Sequence, residues 1–198
     1  MAIIGVTGGI GSGKSTICSF LGALLQAEIF DTDRIAKETL AHDEVVREAV
    51  KREISPQAFG KDGLPDRDLL RRMIFKNPLL KVRLEEILHP RVRAAWRAKS
   101  EEVRSSGGHF IVDIPLLYEN GAEVFFDMVV VVGCAADTQL HRACARGLAR
   151  EQVEAIMRTQ MPTLEKVARA DLVVWNDGSL LQLEAQAKEL AMRLGDKA

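Results

Sequence analysis

Apolar residues in this chain collect in short solid runs, and between the runs they recur among charged residues at helical spacing. Four of the runs, Ile3–Val6, Glu28–Phe30, Phe110–Val112 and Met128–Val132, predict buried strands, and a fifth, Leu172–Trp175, comes late. Runs this short are strand-sized, and helical patterns such as Ser15 to Leu25 separate most of them. That alternation predicts an α/β protein with a parallel five-stranded sheet flanked by helices on both faces.

The pattern changes between the second and third strands. From about residue 42 to 106 the chain offers no strand, only helical stretches rich in Arg, Lys and Glu. Asp66 reads as the N-cap of a helix from Arg67 to Phe75, Pro78 as the start of one through Leu88, and Pro90 as the start of another running past Trp96. An all-helical insertion on an α/β core is either a substrate-binding subdomain or an elaboration of the core. A second helical stretch, 137–170, carries Arg142, Arg146, Arg150, Arg158 and Arg169, and Gly147 interrupts it as a hinge or break. The chain is thus expected to be one domain: a core of 1–41, 107–136 and 171–198, a helical insertion at 42–106, and a helical lid at 137–170.

Composition narrows the class. The 198 residues are 47% hydrophobic and 28% charged with a net charge of -1, so no basic surplus points to a nucleic-acid partner. Cys18, Cys134 and Cys144 are odd in number and far apart, which fits neither a disulfide framework nor a zinc site and suits a reducing cytoplasm. No basic segment precedes the first strand, so no secretory signal is expected. The longest apolar run, Met128 to Ala136, is too short to span a bilayer, and no membrane partner is expected.

Chemistry enters with Gly8-Gly9-Ile10-Gly11-Ser12-Gly13-Lys14-Ser15-Thr16, which fits the phosphate-loop pattern G-x-x-x-x-G-K-[ST] between a strand and a helix. Glycines let the backbone curl so that successive N–H groups face a polyphosphate, and the following helix adds its own amides and positive dipole end. Gly9, Gly11, Ser12, Gly13, Lys14, Ser15 and Thr16 are therefore the expected ATP-binding residues. Lys14 supplies charge to the outer phosphates and the Ser15 hydroxyl a ligand for Mg²⁺.

Other candidates surround this motif. Asp31-Thr32-Asp33 follows the second strand, where α/β sheets place their ligands. Asp33 is either the base that takes a proton from an attacking hydroxyl or a cap for a helix beginning near Arg34. Asp113 ends an apolar strand in the form of a second Mg²⁺ ligand. Arg142 and Arg146 stand four apart, on one helical face, and either clamp phosphates as a lid closes or simply face solvent. His89, before Pro90 at a helix junction, reads first as a cap or packing residue. Asn176, in Asn176-Asp177-Gly178, either bonds an adenine edge or serves the turn.

Together these motifs resemble the bacterial dephospho-coenzyme A kinases over nearly the whole chain. The matching elements are Gly5 to Thr16, Asp31-Thr32-Asp33 with Ile35-Ala36, Phe59-Gly60, Asp66-Arg67, Leu84-Glu85 and His89-Pro90. They continue with Asp113 to Glu119, Gln139, Arg142, Arg146, Gln160, Ala170-Asp171 and Asn176-x-Gly178. The resemblance implies a nucleoside-monophosphate-kinase-like core, a coenzyme A subdomain and a mobile lid. It implies transfer of the ATP γ-phosphate to the ribose 3′-hydroxyl of dephospho-coenzyme A, with Asp33, Lys14 and Arg142 as catalytic residues. It also assigns Asp33, Arg67, His89, Arg91, Asp113 and Leu117 to the acceptor side, and Arg142, Arg146 and Asn176 to ATP. A monomer is expected. The chain departs from the family pattern around the lid: Gly147 replaces an aspartate, Ile156 an arginine, and Gly133-Cys134 an acidic site. Alternatives are another small-molecule or nucleoside-monophosphate kinase, or a nucleotide-dependent switch, for which an Asn-Lys-x-Asp base-reading motif is absent from the sequence.

Overall fold

The computed structural model describes residues 1–195. Five strands form one parallel sheet: β1 (Ile3–Thr7), β2 (Glu28–Asp31), β3 (Phe110–Asp113), β4 (Met128–Gly133) and β5 (Leu172–Trp175). Their spatial order is β2-β3-β1-β4-β5. Four strands run one residue beyond the apolar runs that predicted them, taking in Thr7, Asp31, Asp113 and Gly133. Ladder pairing, not hydrophobicity, decides where a strand stops, and Asp31 still stands in register with Asp113. These extra residues place polar groups at the C-terminal edge, where parallel sheets bind ligands.

The solid apolar runs arise because the central strand is covered on both faces. Ile4 and Val6 of β1 pack with Ile17 and Leu21 of α1 (Lys14–Leu25) and with Leu183, Ala187 and Leu190 of α9 (Leu180–Gly195). On the opposite face, a Cβ at Gly5 would lie 2.8 Å from Leu117 and 2.9 Å from Phe126, so a bare glycine lets both side chains settle onto the strand. The chain passes from β1 through β2 to β3 on one side, then crosses to β4 and β5 on the other. β1 therefore ends at the topological switch point.

The remaining helices are α2 (Thr32–His42), α3 (Glu44–Glu53), α4 (Arg67–Lys76), α5 (Pro78–Ser106), α6 (Ala136–Ala145), α7 (Arg150–Thr159) and α8 (Thr163–Arg169). The chain divides into two compact units, one of Met1–Asp31 with Ser100–Ala198 and one of Thr32–Lys99. The helical segment anticipated at 42–106 overlaps the second unit, which also takes in α2. Leu40, Val46, Val50, Ala58 and Leu70 form a buried cluster in it, with Ile54, Phe59 and Leu84 packed against them. Asp43 and Asp66 cap α3 and α4 by accepting from the Val46 and Leu69 N–H groups at 3.1 and 2.9 Å, the latter as the sequence predicts. Exposed ion pairs such as Arg34–Glu38 and Lys51–Glu48 decorate its surface.

One expectation fails here. The sequence predicts separate helices starting at Pro78 and Pro90, whereas α5 is continuous with Pro90 inside it. Proline removes the N–H that would bond the carbonyl four residues back, a local loss. The bonds of the flanking turns survive, and burial of Val92 and Trp96 on the far side anchors the continuation. The stretch 137–170 resolves into α6, α7 and α8, with the break at Gly147, whose φ is +92°. Among the described residues no helix is long and apolar enough to cross a membrane.

Candidate functional site

Beyond Thr7 the chain turns through Gly8 to Gly13 and enters α1. The turn is closed by the Ser12 N–H donating to the Gly9 carbonyl at 3.2 Å. Gly11 and Gly13 adopt φ of +72° and +96°, a region that side chains disfavour. Space forbids a side chain as well: a Cβ at Gly11 would lie 2.6 Å from the Gln139 carbonyl oxygen, and one at Gly13 2.3 Å from the Asn176 amide nitrogen. Lys14 folds back over the loop, its Nζ donating to the Gly8 and Gly9 carbonyls at 3.1 and 3.3 Å. The Ser15 hydroxyl donates to Asp113 Oδ2 at 3.3 Å. Asp113 is nearly buried at the end of β3, in register with Val6. The structure thus gathers Lys14, Ser15 and Asp113 at the switch point.

The loop's other flank is held by the turn after β5. Asn176 Nδ2 donates to the Ser12 carbonyl at 2.8 Å, and the Asn176 carbonyl accepts from Arg142 at 2.8 Å. Asn176 therefore spends its amide nitrogen on the loop, so its side chain braces Ser12 across the turn. Arg142, Arg146 and Asn176 line a cleft of about 190 Å³ together with Gly11, Gly13 and Thr16. Asp177 locks the same turn by accepting from the Ala135 N–H at 3.1 Å and the Trp175 indole at 2.7 Å. Hydrogen bonds, that from Thr138 foremost, hold its carboxyl below the usual range.

In the helical unit, α2 begins at Thr32, so Asp33 is an exposed residue of its first turn and not the cap of a helix starting near Arg34. An acidic residue there suits the positive end of the helix. Arg67 opens α4 and is exposed. His89 lies within α5, not in a junction, and lines a cleft of about 450 Å³ with Glu86, Arg93, Ala94 and Arg97. Arg91 sits 3.8 Å from the Asp43 carboxylate. Leu117, expected on the acceptor side, is fully buried in the other unit beneath Gly5, where it packs and meets no solvent.

The sequence gives no role to Gln160 and Gln139, which the structure ties to the loop, or to Lys166 and Glu119 nearby. Gln160 Oε1 accepts the Ile10 N–H at 3.0 Å. Gln139 lies against Gly9 and Gly11, and its amide donates to Thr163 Oγ1 at 2.9 Å. Lys166 is fully buried, 2.9 Å from both the Glu119 carboxylate and the Pro115 carbonyl. Burial drives the Lys166 pKa below its ordinary value, against the pull of Glu119. Its helix reads Thr-Leu-Glu-Lys-Val, a surface-like pattern that gives no hint of a buried cation. Cys18 and Cys134 are also buried; burial lifts the first thiol well above its usual pKa and the second to about 11, so neither is poised as a nucleophile.

The family model described as Dephospho-CoA kinase matches residues 2–182. The Dephospho-CoA kinase of Cupriavidus pinatubonensis is 40% identical over 194 residues, covering 96% of this chain and 93% of its own. Among solved structures, TT1252 from Thermus thermophilus is 35% identical with a TM-score of 0.79, covering 99% of this chain and 97% of its own. The dephospho-CoA kinase from Campylobacter jejuni is 25% identical with a TM-score of 0.74, covering 98% of each chain. The likeness spans both units and includes the phosphate loop, and the chain belongs to the dephospho-CoA kinase family.

Proposed function

We propose that the protein transfers the γ-phosphate of ATP to the ribose 3′-hydroxyl of dephospho-coenzyme A, yielding coenzyme A and ADP in the cytoplasm. The observation that carries this reading is the contact of Ser15 with Asp113 at the base of a glycine loop that Lys14 overlies, in a chain of this family. The loop amides and Lys14 bind the triphosphate, and Arg142 and Arg146 hold it from the adjoining cleft. Asp33 takes the proton of the 3′-hydroxyl as its oxygen bonds to the γ-phosphorus. The bond from that phosphorus to the β–γ bridging oxygen breaks, and ADP leaves with that oxygen. Arg67, His89 and Arg91 hold the anionic acceptor; His89, Arg93 and Arg97 on one cleft suit its phosphates.

The residues present fit Mg²⁺. Ser15 and Asp113 offer two hard oxygen donors side by side, and among the described residues no three His, Cys, Asp or Glu side chains form a full cage. A small cation that keeps water and takes phosphate oxygens needs no more. When bound, Mg²⁺ neutralises charge on the phosphates.

The test is direct: incubate the protein with ATP, Mg²⁺ and dephospho-coenzyme A, adenosine monophosphate, shikimate or gluconate, and follow ADP and phosphorylated product. Dephospho-coenzyme A is expected to be preferred by at least about 100-fold in kcat/KM, a margin that hydrogen-bonding sites reach against analogues lacking their partner groups. Preference for adenosine monophosphate would overturn the substrate reading.

A further inference from the structure

The junction between α7 and α8 reaches the phosphate loop and the segment after Asp113 at once. Gln160, the residue after α7, accepts the Ile10 N–H at the crown of the loop. The next N–H, from Met161, donates to Glu119 Oε1 at 2.7 Å. Lys166, one turn into α8, pairs with the same carboxylate and also donates to the Pro115 carbonyl. That carbonyl accepts the Thr7 hydroxyl at 3.2 Å, where β1 runs into the loop. Pro115 is two residues beyond Asp113, and the intervening Ile114 N–H donates to the Val6 carbonyl at 2.9 Å. One set of bonds therefore spans the crown, the approach to the loop and the backbone that follows Asp113.

A fully buried lysine is a poor choice for stability alone, since desolvating two charges offsets their attraction and an apolar pair of similar volume serves as well. What the ion pair adds is direction. Lys166 holds the carbonyl of Pro115, two residues beyond Asp113, and Glu119 holds the Met161 N–H beside Gln160. We propose that the α7–α8 junction is a clamp that sets the loop crown against Asp113, with Gln160 and Lys166 as positioning residues for phosphoryl transfer. This rests on the kinase reading above and adds residues that touch neither substrate. Misplacing reacting groups by about 1 Å costs up to roughly 100-fold in rate.

Two variants test the clamp. Lys166→Met/Glu119→Gln removes both charges together while keeping shape and leaving an acceptor for the Met161 N–H, so melting is expected to stay within a few degrees of the parent. Its kcat is expected to fall about tenfold or more, with KM for dephospho-coenzyme A within about twofold, since acceptor binding is untouched. Gln160→Met removes the crown contact without burying a charge. There kcat falls similarly, and ¹⁵N-resolved hydrogen exchange of the Ile10 amide speeds by about tenfold or more as its acceptor is lost. A merely structural role predicts lowered melting with kcat of the folded protein unchanged. Folded variants with kcat within about twofold of the parent, or unchanged Ile10 exchange in Gln160→Met, would overturn the proposal. Should the double variant fail to fold, Gln160→Met decides alone. An unaltered protein inactive on dephospho-coenzyme A would sink the substrate reading only, because Ile10 exchange is read without acceptor.

Discussion

The two units of this chain present chemistry in opposite ways. In the sheet unit several polar side chains around the loop are held by backbone: Asn176 on the Ser12 carbonyl, Gln160 on the Ile10 N–H, Lys14 on two loop carbonyls. In the helical unit Asp33, Arg67 and Arg91 stand exposed on helices packed around a cluster of Leu40, Val46, Val50, Ala58 and Leu70. The sheet unit fixes atoms, and change there should cost function through geometry. The helical unit fixes helices, and a side chain on its surface should matter only for its own chemistry.

Asp33 gives the sharpest contrast. Asp33→Asn keeps shape and polarity on an exposed first helical turn, so stability should hold within about 0.5 kcal/mol. Loss of a base that accepts the hydroxyl proton should cut kcat by about 10²–10⁴-fold, with ATP affinity within about twofold of the parent. Rapid-quench kinetics and calorimetry with ATP read both numbers. Near-normal turnover would remove Asp33 from the chemistry.

Next in size is Gly11→Ala, which changes one methyl and no functional group. The left-handed backbone costs a side chain about 1–2 kcal/mol. The clash with the Gln139 carbonyl, 2.6 Å from the added carbon, must be relieved by moving backbone of α6 or the loop. ATP affinity should fall by about 30-fold or more, the equivalent of about 2 kcal/mol. Were titration calorimetry to show unchanged ATP binding, the claim that this unit works by fixed backbone would fail.

The helical unit has its own weak point. Leu70, 4% exposed, packs in one cluster with Leu40, Val46, Val50 and Ala58. Leu70→Ala should cost about 2–3 kcal/mol, within the range for buried leucines. A separate early transition is expected in melting followed by a probe in this unit. A single transition, shifted as a whole, would show that the two units unfold together.

These differences explain what the sequence could and could not reveal. Strands were legible because β1, β3 and β4 are buried on both faces and read as unbroken apolar runs, though their last residues, Thr7, Asp113 and Gly133, were not. The phosphate loop was legible because its glycines are demanded by conformation and contact, and Asp113 because it ends a strand beside it. Asp33 was singled out, but its place inside α2 was not, because Asp31, Thr32 and Asp33 are all good N-cap residues and leave the exact start open. Pro90 misled because the rule that proline starts or ends helices ignores a long helix anchored on both sides. Gln160, Glu119 and Lys166 act across 42 to 150 residues of sequence, and no local pattern encodes such pairings. Leu117 lay in a motif whose first residue meets Ser15 and whose middle serves the core.

The smallest effect probes the sheet unit far from its ligand edge. Asp127, just before β4, accepts the Ile3 N–H at 2.7 Å and pairs with Arg104 at 2.8 Å, tying down the start of the central strand. Partial burial pushes its carboxyl pKa up, but the Ile3 N–H and Arg104 outweigh that and hold it below the ordinary value. A depressed folded pKa means the unfolded chain binds protons first as pH falls. The stabilisation is therefore complete above the ordinary carboxylate range and drains away as pH drops through the folded pKa. With the side chain 38% exposed and screened by solvent, Asp127→Asn should cost about 1 kcal/mol at pH 7. Denaturant titrations at pH 7 and pH 3 should show the gap between parent and variant narrowing in acid while kcat at pH 7 stays unchanged. An equal gap at both values would mean that the carboxylate's charge contributes nothing, and that in this unit too only shape matters away from the ligand edge.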